Sequence, residues 1–163
     1  MKSLRFLLSV VVLLSLSIAA FAQSDAQKSF DKLKTLAGTW EGTFEGAPLH
    51  ITLRVTSMGN ALMHEMKGSG PENPITMFDV DGDRLLLTHY CDVGNRPRMV
   101  GKMSPDGKTL EFNFLDVSGS TQDGHMQHVV FNFIDSDHHS ELWEFAMADG
   151  KQMGGLVDLK RAK

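Results

Sequence analysis

Seven histidines, one cysteine and ten methionines mark this chain of 163 residues. Three of the histidines fall in phase with apolar neighbours at alternate positions. His64 shares its phase with Leu62 and Met66, His89 with Leu85, Leu87 and Cys91, and His128 with Met126 and Val130. In a β-strand, alternate side chains point to one face, so each imidazole sits on a largely apolar face. With those faces turned inward, three imidazoles, or His89 with Cys91, would meet in one interior. That set would suit zinc, copper or haem iron. The plainer alternative is three separate, hydrogen-bonded histidines in a partly polar interior, since no short metal-binding spacing joins them. The third segment is ambiguous, because Val129, Phe131 and Phe133 make an equally apolar opposite face.

Other residues invite chemistry and a bland reading together. Asp135-Ser136-Asp137-His138-His139 gathers ligating side chains, but in a polar turn that reads as solvated. His125 and His128, three apart on a strand, face opposite ways and cannot share an ion. A Cys91 thiolate beside His89 and Asp92 would be a nucleophile. Side chains two apart on a strand are about 7 Å apart at the backbone, however, and no oxyanion-hole glycine motif accompanies them. A small buried thiol is the expectation. Arg96 and Arg98 stand where a loop meets a strand. They would either guide an anionic head towards an opening or lie exposed on a polar rim. The methionines read as adaptable core filler. No acid–base or nucleophile motif emerges, so a small enzyme is a subordinate reading.

These residues need elements to position them. Residues 1–22 carry Lys2 and Arg5, an apolar run from Phe6 to Ala20, and Ala20-Phe21-Ala22 before Gln23. This is the pattern of a cleaved signal peptide, which leaves one domain over residues 23–163 with no membrane insertion after cleavage. The expected location is secreted or periplasmic. Both charges lost with the leader are basic, so the net charge moves from −4 to −6. An acidic chain without a Lys/Arg run is a poor partner for nucleic acid or an anionic membrane. With Cys91 alone there is no internal disulfide, and the domain is expected to be a monomer held by packing and sheet hydrogen bonds.

Ser24 to Ala37 reads as a short helix. Ser24 and Gln27 fit a capping box, Ala26, Phe30, Leu33 and Ala37 form one apolar face, and Gly38 ends it. So short a helix must dock its stripe, and the mouth of a barrel is the natural place. Strand-like segments follow over about 39–45, 49–56, 61–67, 75–80, 84–90, 98–103, 109–115, 126–134, 140–147 and 152–160. Leu49, Ile51, Leu53 and Val55 alternate cleanly with polar residues, and Asp-Gly or Gly-Asn pairs mark several turns. Connections this short exclude βαβ crossovers. The expected fold is all-β: an up-and-down antiparallel β-barrel of about ten strands, with the short N-terminal helix capping one end. Closure removes the two edges that an open ten-strand meander would leave. A barrel of this strand number is expected to enclose a cavity.

The helix, Gly38-x-Trp40 on the first strand, the meander and a basic residue ending the last strand together resemble the lipocalin-like (calycin) β-barrels. The resemblance implies that Trp40 closes the narrow end and that Arg161, or else Lys160, packs over its ring, with Gly38 at the join. The stretch Leu87 to Met99 is similar to a block in uncharacterised secreted bacterial lipocalin-like proteins. The strand count bears a more distant similarity to nitrobindin-type haem barrels and fatty-acid-binding proteins. The functional expectation is a small-ligand-binding protein holding an apolar or amphipathic molecule in its lumen. Its contacts would come from His64, Met66, Leu87, His89, Cys91, Arg98 and His128. The alternative is a haem- or metal-binding barrel using the lumen histidines.

Overall fold

The computed structural model describes residues 23–163. The leader assigned to residues 1–22 lies outside that range. Helix α1 (Asp25–Lys34) starts at Ser24, whose Oγ accepts from the Gln27 backbone N–H at 3.1 Å. The Gln27 side chain does not return to Ser24 but bonds Asp31, so only half of the capping box forms. The helix ends three residues before Ala37. Thr35, Leu36 and Ala37 continue as tight turns whose N–H groups reach Lys32, Leu33 and Lys34 carbonyls. This tightening buries Leu36, rather than Ala37, with Ala26, Phe30 and Leu33.

Ten strands follow: β1 (Gly38–Phe44), β2 (Ala47–Thr56), β3 (Ala61–Lys67), β4 (Ile75–Asp81), β5 (Arg84–Tyr90), β6 (Arg96–Met103), β7 (Thr109–Ser118), β8 (His125–Phe133), β9 (His138–Ala146) and β10 (Gln152–Arg161). Each pairs antiparallel with its sequence neighbour, and β1 pairs with β10, so the sheet closes into an up-and-down barrel. Trp40 faces Arg161 across the closing seam. Two boundaries matter for function. Strand β9 begins at His138 rather than at Ser140, which draws His139 into the sheet. A bulge between Met126 and His128 shifts the phase of β8.

Because strands alternate in direction, turns alternate between the two ends. The helix sits at the end that holds the turns at Ser57–Gly59, Gly82-Asp83, Ser104–Lys108 and Ile134–Asp137. That half of the barrel is filled. Phe30 and Leu33 of α1 join Trp40, Leu53, Leu62, Phe78, Leu85, Leu87, Met99, Leu110, Phe112 and Phe131 in one buried cluster. The Phe78, Phe112 and Phe131 ring centroids lie 5.4–6.1 Å apart. Gly101, opposite Phe112, leaves the room its ring takes, since a Cβ there would come within 2.6 Å of it. In this half, aromatic side chains and the inserted helix face take the place of the expected cavity.

Candidate functional site

Above the aromatic filling, polar side chains cross the lumen. On one wall, the register places His64 beside Thr76 and Thr76 beside His89, one row over β3, β4 and β5. On the far wall, His139, Glu141 and Trp143 alternate along β9 and therefore share the inner face. Glu141, with no exposed surface, receives three N–H donors: His64 Nε2 at 3.0 Å, Trp143 Nε1 at 2.8 Å and His139 Nε2 at 2.9 Å.

Three donors suit an ionised carboxylate. Burial by itself would raise the Glu141 carboxyl. The charge of His64 and the imidazole hydrogen bonds outweigh it and hold the group at about 2. Burial drives the His89 imidazole down to about 4, helped by His64, so this ring is neutral at physiological pH. Its Nδ1 lies 2.8 Å from Thr76 Oγ1.

Two ring nitrogens remain. His64 Nδ1 and His89 Nε2 make no hydrogen bond within residues 23–163, yet neither is among the fully enclosed unpaired atoms, which are Asn95 Oδ1 and His139 Nδ1. His64 is 1 % and His89 4 % exposed. With His64 Nε2 committed to Glu141, Nδ1 is the ring nitrogen of His64 left over. Both rings flank Trp143, with centroids 5.2 and 5.7 Å from its own.

Beyond this layer, on the lumen face at the end away from α1, stand Phe44, Met66, Met126, Phe145 and Met153. Met66 and Met126 pack partly on the core, whereas Phe44 is 36 % and Met153 59 % exposed. The result is an apolar mouth over a polar floor.

The candidate residues separate. His64 and His89 lie in the floor and Met66 in the wall. Leu87 is wholly buried in the filled half. Cys91 follows the end of β5 in the adjoining loop, half-buried, with burial pushing its thiol above the ordinary value. His128 does not point into the lumen. It alternates with the inward Val129 and Phe131 and so faces outward, where Glu144 (2.6 Å) and Glu111 (2.9 Å) hold its two nitrogens, while the bulge before it brings Met126 to the inner face. Three imidazoles therefore do not converge, and among the described residues no three His, Cys, Asp or Glu side chains are placed to share an ion. Arg98 also lies outside, engaged by both oxygens of Asp116, with Nε 2.8 Å from Oδ1. Arg96 donates to Ser118 Oγ. The Asp135–His139 turn separates likewise: His138 faces Asp158, while His139 is buried.

Arg161 lies 4.1 Å above the Trp40 ring, and Gly38, at φ 139°, leaves space for its guanidinium. Sequence reasoning passed over Glu141 and left His139 in a turn. The available signal was their phase: both alternate with Trp143 and Phe145, so an inward Trp143 carries a carboxylate and an imidazole inward with it.

No family model matches the chain, and no curated protein does. Solved structures do. Rv2717c from M. tuberculosis matches at 14% identity and a TM-score of 0.56, over 83% of this chain and 98% of that one. A protein of unknown function from the DUF3598 family of Nostoc punctiforme matches at 13% identity and a TM-score of 0.54, over 80% of this chain and 49% of that one. The chain thus spans about half the length of the Nostoc protein. At these identities the likeness is one of fold alone.

Proposed function

We propose that this protein is a small-ligand-binding barrel whose site is the mouth away from helix α1. It takes an apolar or amphipathic molecule, the body against Phe44, Met66, Met126, Phe145 and Met153, and the polar end on His64 and His89. One observation carries the reading: two nearly buried imidazoles on the lumen face each have a ring nitrogen with no hydrogen bond among the described residues, and exposed apolar side chains, Phe44 and Met153, stand at the same end of the barrel. Buried polar groups are normally paired, and sites combine apolar walls with a few converging polar atoms. In this reading the chain is a lipocalin-like barrel, exported by residues 1–22 to the periplasm or beyond, and working there as a monomer. The Trp40–Arg161 contact and the Gly38-x-Trp40 opening support that kinship.

The test is a native mass spectrum of protein purified from a bacterial periplasm, set against its denatured mass. An added mass that leaves on denaturation is expected, and its size separates an organic molecule from haem or a metal ion. His89→Ala should lose it, while His128→Ala, on the outer surface, should keep it. A barrel that carries nothing and also takes up no Nile red, a neutral apolar dye, overturns the proposal.

A further inference from the structure

We propose that strand β10 takes an extended, basic segment of another protein along its open side, by strand addition. This concerns the wall of the barrel and stands apart from the ligand in the lumen.

The seam that closes the barrel is short. The β1–β10 ladder holds Trp40 with Arg161, Glu41 with Lys160 and Gly42 with Leu159, and β1 ends soon after, at Phe44. Strand β10 begins at Gln152, so its stretch from Gln152 to Leu156 is laddered to β9 alone. Three bonds fix the backbone direction there. Arg161 N–H donates to the Asp137 carbonyl and the Lys151 carbonyl accepts from Met147, both on the β9 side, whereas Ala162 N–H donates to Thr39 on the β1 side. The β9–β10 ladder runs between these points without a register shift, so the odd-numbered residues bond to β9. The N–H and C=O groups of Gln152, Gly154 and Leu156 point the other way, beyond the end of the β1 ladder, and all three residues are exposed.

Such edges are ordinarily blunted by lysine, proline or a bulge. Gln152-Met153-Gly154-Gly155-Leu156 has none of these, and Met153 and Leu156 are 59 % and 58 % exposed. Strand β7 also outruns β8, beyond Asn113, but that gap is occupied. Phe114 stacks on His125 with ring centroids 4.6 Å apart, and Asn95 fastens the loop there through the Ser120 and Gly124 carbonyls. Among the described residues, no turn or side-chain hydrogen bond reaches Gln152, Gly154 or Leu156.

Charge selects the occupant. On the outer face beside the open stretch stand Glu45 at the β1–β2 tip, Asp158, and Glu144 opposite Gly154. Of the nearby bases, Lys151 is taken by Asp149 at 2.6 Å and Lys160 sits opposite Glu41. A second copy would pair this edge with itself and set the same carboxylates against each other. A basic strand meets them with opposite charge, while its main chain supplies the missing ladder partners.

The probe is the labelled peptide KVTVKVTVK, whose valines share one face and whose lysines and threonines share the other, set against EVTVEVTVE. Anisotropy with the mature protein in about 10 mM salt should show the basic peptide binding at least about tenfold more tightly, and about 300 mM salt should shrink the difference. In the wild-type protein the basic peptide should slow amide hydrogen exchange at Gln152, Gly154 and Leu156. Leu156→Pro removes one N–H from the open side and none from the β9 ladder, and should weaken the peptide about tenfold or more. Absence of binding, equal binding of the two peptides, or protection confined to other strands overturns the proposal, whether or not the proline variant folds. Self-association of the wild-type protein that is lost in Leu156→Pro would give the edge to a second copy and overturn it as well.

Discussion

Glu141 Oε2 lies 3.0 Å from His64 Nε2, joining strands β9 and β3, which share no backbone ladder. Strands β10, β1 and β2 separate them on the shorter way round. The bond therefore ties one wall of the barrel to the other through its interior, at residues that are 0 % and 1 % exposed. A buried carboxylate is costly unless its oxygens are well served. Here three N–H groups serve them, and in exchange the rings that floor the mouth are held in place.

Replacing Glu141 by Gln preserves volume but sets an amide NH2 against a wall of donors. At least one of the His64, His139 and Trp143 N–H groups then loses its acceptor. Glu141→Gln should destabilise the fold by about 3 kcal/mol in a denaturant titration. A wild-type midpoint would show that the carboxylate is not a structural tie.

Acid should weaken the fold in two consecutive steps. The His89 imidazole titrates near 4 when folded, against an ordinary 6.5. Between those values the unfolded chain takes up a proton that the folded one refuses. The contribution of His89 is thus whole above pH 6.5 and declines to pH 4, by about 3 kcal/mol. Glu141, held near 2 against an ordinary 4.5, contributes in full above pH 4.5 and is lost from there down to pH 2. Denaturation midpoints of His89→Gln should lack the upper decline and keep the lower one. An unchanged slope between pH 6.5 and 4 would contradict this assignment.

Arg161 closes the helix end. Besides lying over Trp40, it donates to the carbonyls of Ala37 (2.9 Å), Thr35 (3.3 Å) and Ser136 (3.0 Å), so one side chain fastens the turn after α1 to the last strand. Arg161→Ala should cost about 2 kcal/mol, a fall in Tm of roughly 5 °C. A Cβ at Gly38 would fall on the guanidinium, so Gly38→Ala should disturb the same contacts. The double variant should then lose less than the sum of the single losses. Strict additivity would mean the two residues act separately.

Cys91 should behave as an inert thiol. Burial raises its pKa above the ordinary value of 9.0, and the adjacent Asp92 adds to the effect. Iodoacetamide should react slowly at pH 7 and faster only above pH 9. Rapid alkylation at neutral pH would mark an activated nucleophile.

Alternation and turn chemistry were enough to determine the strands and their up-and-down order, because both act between near neighbours in the chain. The same local signals place the helix start at Ser24, and the ends of the barrel identify Trp40 and Arg161. Helix α1 ends early, and β9 starts early, because turn hydrogen bonds rather than apolar period set those limits. His128 was misplaced for a definite reason: both faces of β8 are apolar, so period two cannot choose between them, and the packing of Val129 and Phe131 into the core decides. Glu141 could not be paired from sequence at all. Its partner His64 is 77 positions away, on a strand that meets β9 only across the lumen. Local periodicity thus determined the strands and their order. What faces what inside the barrel was decided by closure, a long-range geometry that no local pattern encodes.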